Sequence, residues 1–135
     1  MNSAIALALA ASLALTANTS FASDWRETAG SSDGRRAFVD VSRVVQEGKF
    51  RKAWQRSEWP TEQTFETLKY RSVLQLNLYD CQARRMATRT MHIYAAPGAT
   101  GKLVKAIDIQ DSRLQWIDIP PESGLEGAYT VVCGL

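Results

Sequence analysis

The sequence is short of the residues from which most catalytic and metal sites are built. It holds a single histidine and two cysteines. His92 has no second histidine, and the cysteines are far apart, so the closely spaced ligand sets of zinc sites are missing. There is no G-x-S-x-G, no H-E-x-x-H and no Walker loop, so no motif points to a nucleophile, a metal or a cofactor. Asp40 and Asp80 fall at expected strand ends, where turn and backbone hydrogen bonding is the ordinary role of aspartate. Five of the other twelve carboxylates fall from Asp108 onward, at the C-terminal helix and its approach, where helix capping and solvation account for them. No repeat, linker or low-complexity tract divides the chain.

Long apolar runs are also scarce. The one exception, residues 4–17, is small and apolar with two hydroxyls, shorter than the roughly 20 residues that cross a bilayer as a helix. It fits the apolar core of a secretory signal peptide. Ser20 and Ala22 place small residues at the −3 and −1 positions of a cut before Ser23. The usual basic n-region is absent, and the first charged residue is Asp24. We therefore expect residues 1–22 to be a signal peptide and residues 23–135 to form one exported domain, periplasmic or secreted. With no cysteine at the cut and no later apolar run of spanning length, we expect neither a lipid anchor nor a transmembrane segment.

Both cysteines lie in that mature part, where only one intramolecular pairing exists. An oxidising compartment favours a Cys81–Cys133 disulfide. Closing a loop of about 50 residues would stabilise a small domain by roughly 4 kcal/mol in the chain-entropy model.

Short runs of β-branched and aromatic residues separated by Gly, Pro, Asp and Ser read as strands through most of the chain. Residues 25–28 and 35–41 flank a turn at Asp33-Gly34. Residues 42–48 read as a short helical turn ended by Gly48. Residues 49–59 resume as a strand, and residues 60–66 read as a polar connection or short helix. The clearest alternation is in residues 70–81, followed after a tight turn by residues 84–95, an antiparallel hairpin. Residues 102–109 and 114–119 are two more strands joined at Asp111-Ser112.

Beyond Pro120-Pro121 the period changes. Leu125, Ala128, Tyr129, Val132 and Cys133 recur on one helical face, and Ser123 with Glu126 reads as a capping box. Gly124 and Gly127 weaken that helix by about 1 kcal/mol each relative to alanine. Cys81 has the opposite strand parity from Leu74, Leu76 and Leu78, so either a bulge intervenes or the helix covers the Tyr79 face.

Net charge is only +2, but it is segregated. Residues 35–56 carry seven Arg/Lys against Asp40 and Glu47, and residues 69–89 carry five against Asp80, whereas the stretch from Ala106 is acidic. Cations interleaved with aromatics at residues 49–59, together with the Arg84-Arg85 pair of the second basic stretch, make Arg51, Lys52, Trp54, Arg56, Trp59, Arg84 and Arg85 the candidate binding residues. Export argues against nucleic acid as the partner. It leaves a protein, or an anionic polymer such as a sulfated glycan or lipopolysaccharide.

The ordered series Phe38-Val39-Asp40, Trp54, Tyr70-Arg71-Ser72, Asp80-Cys81, Arg84-Arg85, Trp116, Pro120-Pro121-Glu122-Ser123 and Cys133 resembles the surface-adhesin protein E family of bacterial envelope proteins. The resemblance implies an α+β fold: a curved antiparallel sheet of about six strands with a C-terminal helix fixed to it by a disulfide. For the name-giving members it also implies adhesion to host matrix and plasma proteins. The expected function is thus non-enzymatic binding. A structural envelope component that contacts neighbouring proteins is a rival reading, favoured by an exposed apolar patch where a continuous basic groove would favour an anionic partner. A periplasmic hydrolase is a further rival and needs a second titratable group placed to work with His92.

Overall fold

A computed structural model describes residues 22–135. Apart from Ala22, the expected signal peptide lies outside the described residues. The chain forms β1 (Trp25–Gly30), β2 (Arg36–Asp40), β3 (Val45–Glu47), β4 (Phe50–Phe65), β5 (Leu68–Asp80), β6 (Arg85–Ala96), β7 (Thr100–Asp108), β8 (Ile117–Asp118) and a C-terminal helix α1 (Gly124–Cys133). Six strands neighbour one another in the order β1-β2-β4-β5-β6-β7, with β3 on β4 and β8 on β6. Every pairing is antiparallel. The expected sheet of about six strands is therefore present, with two short additions.

The hairpin read from alternation is β5–β6, with Ser72 opposite Tyr94 and Asp80 opposite Arg85. Asp33-Gly34 does turn β1 into β2. Gly34 has φ +79°, and a Cβ there would lie 2.9 Å from Pro60 Cγ, so both backbone and neighbour call for glycine.

Four local expectations need correction. Residues 42–48 are not one helical turn: a 3₁₀ turn spans Val41–Arg43, and β3 follows. Gly48, at φ +59°, turns β3 into β4 instead of ending a helix. Residues 60–66 are largely strand, because β4 continues to Phe65 through a bulge that tolerates Pro60. The strand expected over residues 114–119 shrinks to Ile117–Asp118, because residues 111–113 form a 3₁₀ turn. Finally, the capping box does not form as expected: Ser123 is the N-cap but makes no side-chain cap bond. Glu126 accepts from the backbone N–H of Glu122, whereas the Ser123 hydroxyl donates to the Pro120 carbonyl.

α1 lies on the Tyr79 face, which resolves the parity of Cys81. Val39, Ala53, Tyr79 and Met86 of the sheet, Ile119, and Ala128 and Val132 of α1 form the core. A bulge between Leu76 and Asn77 in the β5–β6 register is also present. The Cys81–Cys133 disulfide closes the last turn onto the end of β5, with a Cα–Cα distance of 5.7 Å. Tyr129 donates to the Cys81 carbonyl at 2.7 Å. Beneath the helix, Gln55 Oε1 accepts from Asn77 at 3.0 Å and from the Tyr79 hydroxyl at 2.9 Å. Thr88 in turn donates to Asn77 at 2.9 Å. These buried polar groups are thus satisfied, and burial pushes the Tyr79 phenol up to about 12.

Two buried aspartates pin the chain at its corners. Asp40 accepts from the backbone N–H groups of Asp24 and Ser42, each at 3.1 Å, and pairs with Arg43 at 2.9 Å. Asp80 accepts from the Ala83 N–H at 3.0 Å and faces Arg85 at 3.3 Å and Lys49 at 4.0 Å. Burial opposes ionisation of Asp40, but the Ser42 hydroxyl and the two N–H groups outweigh it and hold the carboxyl below its usual range. The Ala83 N–H, then Arg85 and Lys49, do the same for Asp80.

Carboxyls lowered in the folded state contribute stability above their unfolded pKa, near 3.9, and lose it as pH falls through their folded values. The urea midpoint should therefore hold from pH 7 to about pH 5 and fall below about pH 4. Asp40→Asn should lower the neutral-pH midpoint and flatten the acid decline. An unchanged acid profile in that variant would remove Asp40 from this account.

Candidate binding face

The end of the sheet away from α1 is built differently from the core end. Pairing of β2 with β4 stops at Glu58, and pairing of β6 with β5 stops at Ser72. Beyond those levels β4 and β5 pair only with each other, as a projecting two-stranded arm. At its base, residues 59–62 stand against Arg71 alone, between the pairs Glu58–Ser72 and Gln63–Tyr70. The Arg71 guanidinium donates to the carbonyls of Trp59 (3.1 Å) and Pro60 (2.6 Å), so the bulge leaves neither oxygen unsatisfied.

This arm brings Trp59, Phe65 and Tyr70 beside Val73, Met91 and Ile93 of the sheet to line an open groove of about 380 Å³. Trp59 and Tyr70 meet edge to face at 5.5 Å, and Phe65 is 57% exposed. Val73 pairs with Ser57 and Ile93, and Ser57 shares the pleat parity of Ala53 in the core. The groove therefore continues the face on which α1 sits, beyond the helix. Its lining includes Arg35 and Lys105 and no carboxylate.

The cations expected to form a basic surface are distributed over the sheet. Arg51 points to α1 and donates to the carbonyls of Val132 (2.8 Å) and Leu135, closing the helix C-terminus. Lys52 faces the opposite side and pairs with Glu47 at 3.6 Å. Arg56 stacks between Trp25 (4.7 Å) and Phe38 (4.8 Å), with Glu58 at 3.8 Å from its buried Nε. Arg84, in the β5–β6 turn, pairs with Glu126 at 2.9 Å and lies over Tyr129. Arg85 holds Asp80 and lies over Trp116 at 4.8 Å. Trp54 is half-buried opposite Leu76. Of the seven candidates, Trp59 alone lines the groove. Sequence reasoning missed Phe65, Tyr70, Met91 and Ile93, each of which reads alone as ordinary strand apolarity.

A larger cleft of about 650 Å³ lies between β3, β6 and the 110–116 segment. Phe50 and Trp116 stack in it at 4.7 Å. Arg89 spans it from Glu47 (2.9 Å) to Asp111 (3.2 Å), and this contact keeps the Glu47 carboxyl below its usual range. Its charges are already paired within the chain, so size alone does not make it the better site. Among the described residues no group of three His, Cys, Asp or Glu is placed to hold a metal ion, and no helix is long and apolar enough to cross a membrane.

Comparison with solved structures places the fold beside Haemophilus influenzae protein E. Its crystal form II superposes with a TM-score of 0.56 at 12% identity, covering 73% of this chain and 80% of that one. A second structure of the same protein gives 0.54 at 12% identity, covering 73% and 76%. Identity this low speaks to the fold alone. A comparison with curated proteins finds no match. The profile of the family described as surface-adhesin protein E matches residues 25–134, and the chain belongs to that family.

Proposed function

We propose that this adhesin-like surface protein is a non-catalytic domain, exported by cleavage before Ser23, that grips a protein partner with the open half of its helix-bearing face. The observation that carries this reading is the groove itself, where Trp, Tyr, Phe and Met side chains meet on a sheet face that α1 leaves uncovered. Those residue types are the ones enriched at the desolvated centres of protein interfaces. His92, by contrast, has no hydrogen-bond or ion-pair partner among the described residues, and general acid–base chemistry needs an oriented second group.

Family membership favours a host matrix or plasma protein as the partner. A neighbouring envelope protein would use the same surface. The polyanion reading has less support, because Arg51, Lys52, Arg56, Arg84 and Arg85 each already engage groups of this chain. It would prevail if the domain held to heparin near about 0.15 M salt and an Arg84→Glu, Arg85→Glu variant did not.

The test is binding of residues 23–135 to immobilised matrix, plasma and envelope proteins, compared with a Trp59→Ala, Phe65→Ser variant. Loss of central aromatics should weaken the interaction by about tenfold or more while the fold persists. Equal binding by the two proteins would rule the groove out.

A further inference from the structure

The charge along this face specifies what the groove takes. A second depression, of about 480 Å³, lies further along β6 and is lined by Met86, Thr88, Ile109, Arg113 and Ile117 among others. Met86 belongs to the helix-side core, and Ile117, 48% exposed, pairs with it. The two depressions therefore follow β6 from Ile93 to Met86, about 23 Å at roughly 3.3 Å per residue. Neither is lined by an aspartate or glutamate. Arg35, Lys105 and Arg113 border them, and no ion pair holds any of the three among the described residues. Nine other cations of the described chain are in ion pairs, and Arg51 and Arg71 donate to backbone carbonyls, so the track holds three of the five described cations that have neither.

We propose that this track binds an extended segment of a partner protein in which apolar side chains alternate with acidic ones. The inference rests on the groove being the contact face and adds the chemistry of what it contacts. An extended chain of about seven residues matches the length and turns alternate side chains to one side. Its apolar set would cover Val73, Met91 and Ile93, and the long side chains of Arg35, Lys105 and Arg113 would reach up past its edges to the carboxylates on its outer side. A second copy of this chain is the poorer occupant. A two-fold interface needs a self-complementary patch, and a patch with cations and no carboxylate would set like charges against each other.

The experiment measures fluorescence anisotropy of two short labelled peptides, one alternating leucine with aspartate and one alternating leucine with lysine. Wild-type domain should bind the aspartate peptide at least about tenfold more tightly, and the preference should shrink with added salt. The R35E/K105E variant should reverse the preference, and K102E, a charge change outside the track, should leave it intact. Equal affinity for both peptides, or an unreversed preference in R35E/K105E, overturns the inference. So does binding of anionic phospholipid vesicles by a domain that ignores the aspartate peptide. If Trp59→Ala, Phe65→Ser abolishes partner binding while charge reversal changes nothing, the groove stands as the contact face and only its acidic preference falls.

Discussion

Replacing Cys133 with serine is expected to lower the stability of the domain by about 2 to 5 kcal/mol. The disulfide from Cys81 ties the last turn of α1 to the end of β5, and α1 has little else of its own to hold it. It spans ten residues from Gly124 to Cys133, shorter than isolated helices that persist in water. Two of those residues are glycine, and its last turn carries no basic side chain. Losing the bridge should therefore loosen α1 first and uncover Val39, Ala53 and Tyr79. Urea unfolding of Cys133→Ser and of the Cys81→Ser, Cys133→Ser pair should give midpoints well below wild type, and amide exchange should rise in α1 before it rises in β4 to β6. Coincident midpoints would show that the helix is held by packing alone. Free thiols in folded protein from an oxidising compartment would remove the bridge from the account altogether.

The second large effect is expected at Gly127. On helix propensity alone, alanine should stabilise α1 by about 1 kcal/mol. A Cβ at Gly127, however, would lie 2.4 Å from the Thr28 carbonyl oxygen and 3.2 Å from its carbonyl carbon. Both are backbone atoms of β1, so relief requires the helix or the edge strand to move. Overpacking of this kind costs about 1 to 3 kcal/mol, occasionally more, and should outweigh the propensity gain. Gly127→Ala should thus lower the urea midpoint, with Thr130→Ala, on the exposed side of α1, close to neutral as the comparison. Stabilisation by Gly127→Ala would mean that α1 sits further from β1 than the structure places it.

That glycine marks the boundary of what the sequence discloses. The periodicity of residues 125–133 located the helix, and the alternation of residues 70–81 located the longest hairpin, because each pattern is local and repeats over several residues. Local rules also assigned Gly127 a cost, since its value lies in a contact with Thr28, far away in the chain. Pro60 misled for a related reason. Proline breaks a regular ladder, but a bulge opposite Arg71 supplies the place where none is needed. The binding candidates show the same limit. Runs of Arg and Lys could be counted along the chain, but their partners Asp80, Glu47 and Glu126 come from other elements. The groove draws single residues from several strands, so no window of sequence contains it.

The pairing register also decides which part of the domain an attachment at either end would leave free. Trp25 opens β1 opposite Asp40, and Arg51 holds the carbonyls of Val132 and Leu135, so the two ends of the described domain lie toward the core end of the sheet. The arm with Trp59, Phe65 and Tyr70 projects from the other end, past the Glu58–Ser72 level. A cell-surface attachment made through either end would hold the domain by its foot, with the aromatic arm turned outward. A label or fusion partner added at an end leaves the same region unobstructed, whereas a graft into the Glu66-Thr67 turn at the tip of the arm would stand in front of it.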